Sequence, residues 1–414
     1  MAASSIPALK STGWLSVVSL LVLLPDIGAA DTAHIAQPWR AEAVVEGRDE
    51  TYNEERFLNE LTFRHSQPRP NAVSNGIRGT GGSVGSRRLY YDFRFRQDFG
   101  FRENRNGFLL DIQRSEDLDG AYQRQLVGFR QAIAENTELW LQGDVYSDKS
   151  LSDIYFSARH HLDETSWLHV SWILPDAYFN SKTDSPDEFE TVPHSWFLQW
   201  HRGGAGPGLG TTVSMTLTPA SSFISRQENL QVDSESVSAA FTHRQQVADW
   251  QITLELDGER TRRHYRLFAD GESQTTGFDR NHLRLLAGAT WTGHRLKPGF
   301  GIAYLDLKEQ GFFGRALNDE GRIRRSEPTA FGEFSLPLTS GLSLRPALYL
   351  GHAHLRQTFE EQSDKHFDGF IGKLALPFEM MLSREDGAVL TLNPTFYLHE
   401  SEFGGGNLQL HWPM

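Results

Sequence analysis

Residues 249–256 read DWQITLEL, and the period of that octet decides the fold. Trp250, Ile252, Leu254 and Leu256 fall on one side of an extended chain, and Asp249, Gln251, Thr253 and Glu255 on the other. Side chains alternate across a strand, so the octet reads as a strand with one apolar and one polar face. The pattern recurs. Leu89, Tyr91, Phe93 and Phe95 oppose Tyr90, Asp92, Arg94 and Arg96. Leu342, Leu344, Leu348 and Leu350 oppose Ser343, Arg345, Ala347 and Tyr349. Leu390, Leu392, Phe396 and Leu398 oppose Thr391, Asn393, Thr395 and Tyr397. Further strands are expected near 107–115, 121–131, 137–146, 153–161, 165–173, 194–202, 210–218, 237–244, 281–291, 299–307, 329–337, 368–378 and 405–412. One more falls at 57–65, FLNELTFRH, where Phe57, Leu58 and Leu61 would equally suit a short helix.

The connections between these strands alternate in character. Those at 66–87, 174–193, 219–236, 258–280 and 308–328 are long and polar, and GIRGTGGSVGS within the first reads as mobile. AENT (134–137), LDET (162–165), QQV (245–247), TSG (339–341) and SREDGA (383–388) are tight. A soluble sandwich also alternates along its strands, but has no reason to keep long loops at one end and short turns at the other. The expected fold is all-β, a transmembrane antiparallel up-and-down β-barrel of about 16–18 strands over residues 57–414.

Composition narrows the chemistry. The 414 residues carry 53 acids against 40 bases, a formal charge of −13, which argues against a nucleic-acid partner. Mean hydropathy of −0.45 excludes a bundle of membrane helices but not a barrel, which spends only alternate residues on lipid. Without cysteine there is no disulfide, thiolate metal site, cysteine nucleophile or c-type haem attachment. No pattern asks for a cofactor. At the N-terminus, Lys10, the apolar run Trp14–Leu24 and Gly28-Ala29-Ala30 read as a signal peptide over residues 1–30, cleaved after Ala30. The run is too short for a spanning helix, which takes about 20 residues, although a membrane anchor is the competing reading. Residues 31–56 are then a periplasmic N-terminal segment.

The chain ends GGGNLQLHWPM, with Leu408, Leu410 and Trp412 alternating against Asn407, Gln409 and His411. This resembles the C-terminal strand of bacterial outer-membrane β-barrel proteins, with Pro413 and Met414 departing from the usual aromatic end. No specific porin family is identified. The resemblance implies the cell outer membrane as location, Leu408, Leu410 and Trp412 as an assembly signal, and the barrel-assembly machinery as a partner. Outer-membrane lipid and lipopolysaccharide would surround the barrel, and a monomer or homotrimer would suit it.

The polar faces would line the lumen. Arg94, Arg96, Arg159, Arg244, Arg284, Arg345 and Lys373 are the expected cations there, and Asp92, Asp111, Glu138, Asp144, Asp249, Glu255 and Glu333 the expected acids. Opposed charges across a pore discriminate among polar solutes; the competing reading is that they pair and fill the lumen. Only seven bases are lysine, and the arginine fork suits carboxylate and phosphate. In the loops, Asp176, Asp184, Asp187, Glu188 and Glu190 suggest a constriction, a divalent-cation site or a solvated face. Arg315, Arg322, Arg324 and Arg325 suggest contact with anionic sugars or phosphates of the outer leaflet. His194-Ser195, His399 with Ser401, and Ser74-Asn75-Gly76 near His65 are the candidate hydrolase parts. Adjacent strand residues point to opposite faces, and His65 is separated from Ser74 by two prolines, so no enzyme is expected. His352 and His354 form the one i, i+2 pair near a carboxylate. The expected function is a porin-like channel for passive diffusion of small polar or anionic solutes. The alternatives are a polysaccharide export or surface-assembly barrel with periplasmic partners, and an outer-membrane lipid hydrolase.

Overall fold

The computed structural model describes residues 57–58, 61–62 and, short connecting stretches apart, 75–414. The expected signal peptide (1–30) and N-terminal segment (31–56) lie outside the described residues. From Gly76 onward the chain forms one antiparallel sheet of 22 segments. They are β1 (Gly76–Val84), β2 (Arg88–Phe101), β3 (Asn106–Asp117), β4 (Gly120–Ala134), β5 (Thr137–Asp144), β6 (Ile154–His161), β7 (Ser166–Leu174), β8 (Asp187–Thr191), β9 (Ser195–Gly203), β10 (Gly210–Ser225) and β11 (Leu230–Val247). The second half comprises β12 (Trp250–Ala269), β13 (Glu272–Trp291), β14 (Gly299–Phe312), β15 (Glu320–Glu333), β16 (Leu336–Thr339), β17 (Leu342–Leu344), β18 (Ala347–Phe359), β19 (Gln362–Ala375), β20 (Phe378–Ser383), β21 (Ala388–Tyr397) and β22 (Phe403–Pro413).

Neighbours in sequence pair with each other, and β1 pairs with both β2 and β22, so the sheet closes without an edge. Four staves are interrupted: β8 with β9, β15 with β16, β17 with β18, and β19 with β20. The ring therefore has 18 staves. Three of the breaks contain a proline (Pro193, Pro346 and Pro377), which has no N–H to give to a ladder. Closure leaves the sheet without an open edge, the condition for crossing a bilayer with strands.

The alternation sorts as the sequence suggests. Ile252, Leu256, Leu348, Leu350, Leu392, Phe396 and Leu398 are exposed on the outside, while Thr391, Asn393, Thr395 and Tyr397 are buried inside. Phe99, Phe156, Trp172, Trp196, Met215, Phe300, Ile302 and Phe370 extend the outer apolar belt around the ring. An exposed apolar belt on a closed barrel is stable only in lipid, and this is the outer-membrane architecture. The short turns and the C-terminus mark the end that faces the periplasm in such barrels.

Three sequence expectations change. First, residues 57–62 are not a barrel strand: Phe57, Leu58, Leu61 and Thr62 are helical. Phe57 and Leu58 are fully buried, and with Leu61 they form one cluster with Ala303, Leu305, Ala347, Tyr349, Ala353, Ile371 and Ala375 of the inner wall. Second, the first stave is β1, inside the stretch expected to be a mobile loop. The closing seam is tight at two of its glycines: a Cβ on Gly76 would collide with the Trp412 carbonyl and one on Gly82 with the Gly406 carbonyl. Glycines show no alternation, so periodicity is blind to this strand. Third, most of the long loops expected at 219–236 and 258–280 is strand, with β10 running to Ser225, β11 starting at Leu230, β12 running to Ala269 and β13 starting at Glu272. The β12–β13 ladder runs unbroken from Trp250↔Trp291 to Ala269↔Glu272. Beyond the belt the outer face meets water, and the inner face mixes polar residues with a buried apolar cluster of Val232, Tyr265, Phe278, Ile323 and Leu355, so the regular apolar period stops while pairing continues. Cross-strand ion pairs accompany it: Arg260–Asp279 at 3.5 Å, Arg262–Glu235 at 3.4 Å and Arg266–Asp233 at 3.8 Å.

Candidate functional site

The lumen wall is where named polar side chains converge. Along β1 to β5 they form three ion-pair clusters. Arg78 meets Asp92 at 2.9 Å. Arg94 makes a two-pronged contact with Asp111, through Nε at 3.0 Å and Nη2 at 2.7 Å, and Arg96 reaches the same carboxylate at 3.3 Å. Arg130 joins Asp98 at 3.0 Å to Glu138 at 3.1 Å. Register explains the pairing: Arg96 lies directly opposite Asp111 across β2–β3. Charge-assisted and bidentate contacts of this kind are the strong ones, and they hold the side chains in fixed geometry.

The opposite arc is paired as well. Arg244 meets Glu255 at 3.2 Å, and Arg284 donates from Nε to Asp257 at 2.7 Å. Arg345 bridges Glu379 at 2.6 Å and Glu333 at 3.6 Å. Arg325 and Glu327 form a wholly buried pair. Lys373 sits over the Tyr397 ring at 4.9 Å. Most of the expected lumen charges are thus brought together in pairs rather than as a free ladder. Asp249 is the exception in position: it lies exposed in the turn between β11 and β12, where its carbonyl accepts from Thr292 N–H at 2.7 Å. The octet's first residue belongs to the hairpin, one position short of the strand.

Arg159 differs from all of these. Its guanidinium lies over two indoles, Trp140 at 5.1 Å and Trp167 at 4.9 Å. The residue is 9% exposed, and its Nε has no hydrogen-bond partner. Among the described residues no carboxylate comes within ion-pair distance of it. Register builds the clamp, because Arg159 on β6 is opposite Glu138 of β5 and His169 of β7, with Trp140 two positions along β5. Stacking on aromatic faces suits a guanidinium, which is less strongly hydrated than an ammonium, and leaves its in-plane N–H donors for another acceptor. A second such cation is Arg263, over Phe278 at 5.5 Å with Nε and Nη1 unpartnered, on the inner face of β12 beyond the belt. Sequence periodicity places Arg159 inside but passes over Trp140, Trp167, Arg130 and Arg263; the aromatic residues on flanking strands are the signal that points to the first.

Position around the ring matters. Arg159 is on the sixth stave, whereas Tyr349 and Ala353, against which Phe57 and Leu58 pack, are on the fifteenth, half a circumference away. With strands about 4.8 Å apart and tilted about 40°, eighteen staves enclose a ring about 36 Å across at the backbone. A helix with its side chains is about 10–12 Å wide. The helical residues therefore lie on one wall and the unpaired guanidinium on the other.

No known protein family and no curated protein matches this chain. Solved structures do. The translocator domain of autotransporter NalP from Neisseria meningitidis is 9% identical, with TM-score 0.34, covering 90% of this chain and 100% of its own. Acinetobacter baumannii OccAB3 is 9% identical with TM-score 0.43 (82% and 97% covered). Pseudomonas aeruginosa OccK2 (OpdF) in complex with glucuronate is 12% identical with TM-score 0.39 (84% and 99% covered). At such values the barrel is argued from this chain's own pairing.

The described hydrolase candidates have other partners. Ser195 Oγ bonds Thr218 Oγ1 at 2.8 Å, and His399 Nδ1 lies against the Gly372 backbone. Asn75 accepts from Asp98 N–H at 2.9 Å, while Ser74 and His65 lie outside the described residues. His352 and His354 both approach Asp368, at 3.3 and 3.6 Å, on the outer face. No group of three metal-ligating side chains stands together among the described residues. Of the acidic loop, Asp187–Thr191 is the short strand β8, paired to β10. Arg322, Arg324 and Arg325 are on β15, and Arg315 lies outside the described residues. Leu408 and Trp412 point outward on β22, the strand that closes the ring against β1.

Proposed function

We propose that this outer-membrane barrel is a channel for small anionic solutes, with Arg159 as the residue that contacts them in the lumen. The observation that carries the reading is the Trp140–Arg159–Trp167 clamp. The other expected lumen arginines are neutralised within hydrogen-bond distance, whereas no described carboxylate reaches this one within ion-pair distance, although Glu138 lies opposite it in register. A buried cation without a carboxylate is costly unless an anion visits it. The solute would exchange water for the guanidinium edge, bind weakly, and leave, which is what conduction requires.

Planar-bilayer reversal potentials under a potassium chloride gradient test this. The native protein should favour chloride, and Arg159→Gln should move the reversal potential towards zero while leaving conductance within about twofold. Cation preference in the native protein would overturn the reading. The helical residues on the inner wall favour a second reading, a barrel that opens for a polymer when a periplasmic partner withdraws them. It expects the native protein to be silent and Leu58→Asp to be conducting.

A further inference from the structure

We infer that the outer face of β14, β15, β18 and β19, just beyond the apolar belt, binds the phosphate groups of lipopolysaccharide. Lys308 pairs in register with Arg324, Arg324 with Arg356, and Arg356 with His366. Four basic side chains therefore stand in one transverse row across adjacent strands. All four face outward, since Leu307, Ile323, Arg325 and Leu355 alternate with them and are buried inside. Like charges directly opposite one another destabilise a sheet, and two of the four, Arg324 and His366, have no carboxylate within ion-pair distance among the described residues. Lys308 has Asp306 at 2.7 Å and Arg356 has Asp364 at 3.9 Å. Arg322 and Arg324 have no carboxylate within ion-pair distance among the described residues.

Beside the row is a hollow of about 730 Å³, lined by Arg262, His264, Asp279, Lys308, Arg322 and Arg324. Its floor is bare backbone. Gly311 has φ of +107°, and a Cβ there would collide with the Gly277 carbonyl, so only glycine keeps the hollow open. Asp279 is occupied by Arg260 and Arg262 at 3.5 and 3.4 Å, which leaves Arg322 and Arg324 as the free donors. The arginine fork matches phosphate oxygens two at a time.

Height selects the source of the phosphate. Lys308 is four residues beyond Tyr304 on β14, and Ile302 is an exposed belt residue just below. Four residues rise about 13 Å along the strand, or about 10 Å along a barrel axis tilted about 40° from it. That is headgroup level, at the end opposite the short turns, and in an outer membrane this end meets lipopolysaccharide. Phosphate on a lipid anchored there meets the row without leaving the membrane, whereas free phosphate has no such confinement.

The test uses the full-length protein purified in neutral detergent and three probes: lipopolysaccharide, the same lipopolysaccharide dephosphorylated, and inorganic phosphate. Thermal unfolding is followed by the loss of heat-modifiable migration. Without additives, Arg324→Gln should be at least as stable as the native protein, because repulsion in the row is relieved; this also shows that the variant folds. Lipopolysaccharide should raise the native midpoint and bind at least tenfold more tightly to native protein than to Arg322→Gln/Arg324→Gln, with bilayer conductance unchanged between the two. Dephosphorylated lipopolysaccharide should fail to distinguish them. Equal binding of lipopolysaccharide to native and double variant would overturn the proposal. So would stabilisation by millimolar inorganic phosphate that lipopolysaccharide does not exceed, which would make the row a site for free phosphate.

Discussion

Replacing Leu58 by alanine should release the helical residues from the inner wall and change what the barrel conducts. Phe57 and Leu58 are fully buried, and Leu61 is 7% exposed. Burying three such side chains contributes about 1.5–3 kcal/mol each. Fixing the backbone costs about 1–2 kcal/mol for each residue ordered, which offsets most of that gain. Docking is therefore balanced on a margin of a few kcal/mol, helped by the Asn393 amide, which donates to the Thr62 carbonyl at 3.3 Å. Leu→Ala at a buried site costs about 2–5 kcal/mol, enough to exceed that margin and to shift the docked fraction by about 30-fold or more. The barrel should be untouched, since its backbone pairing does not depend on Leu58. Two assays read the change on the purified full-length protein. Single-channel conductance should rise or become noisy, and trypsin should cleave after Arg64 much faster than in the native protein. If neither cleavage nor conductance moves, the segment is held by something other than these side chains, and the docking argument fails.

Three further outcomes follow from the lumen and the belt. Asp111→Asn removes the carboxylate shared by Arg94 and Arg96, which is only 2% exposed, and should destabilise the barrel by about 3–5 kcal/mol in chemical unfolding while increasing anion preference. An unchanged midpoint would mean the arginines find water instead. Leu392→Arg on the lipid face should cost about 2–4 kcal/mol, as charges within the belt do, and a neutral result in lipid would contradict the inside–outside assignment of β21. Asp163, in the short turn between β6 and β7, has its carboxyl held below the usual range by the Thr165 N–H and then by the Ser166 and Thr165 hydroxyls. A depressed carboxyl stabilises above its unfolded value, about 3.9, and the effect disappears as pH falls through the folded value. The stability gap between native protein and Asp163→Asn should therefore be present at pH 7 and vanish in strong acid; a gap that persists would sink the assignment.

How legible this was depends on which face a residue occupies. Leu348, Leu350, Leu392, Phe396 and Leu398 betray their strands because lipid demands apolar side chains at every second position. β1 has no such signature, since its identity rests on contacts with β22, more than 300 residues away in sequence, and on glycines that have nothing to alternate. The upper halves of β12 and β13 were equally hidden, because their outer face meets water and their inward side chains mix Arg263 with Tyr265 and Phe278, which leaves no regular hydrophobic period. The helical residues 57, 58 and 61 were legible as an ambiguity only, since i, i+1 and i+4 suit a helix and a doubtful strand alike. For the lumen, parity placed Arg94, Arg96, Arg159, Arg244 and Arg284 inside, but parity carries no information about which of them find a partner. That depends on the register between strands, which a single sequence does not print.

Register also decides what each arginine does. Where it sets a carboxylate opposite or beside the guanidinium, as Asp111 beside Arg94 and Arg96, the charges cancel over a few ångströms and contribute little field to the lumen. Where it sets aromatic rings on either side, as Trp140 and Trp167 beside Arg159, the charge survives and the lumen has a local sign. Where it sets another cation opposite, as Arg324 opposite Arg356, the sheet stores repulsion that an anion relieves. The overall charge of −13 is therefore a poor guide to what the protein attracts. A solute in the lumen meets mostly neutral pairs and the ring-stacked guanidinium of Arg159, and a lipid phosphate outside meets a basic row. An acidic protein can present anion-binding surfaces in both places because its excess carboxylates lie elsewhere or are already paired.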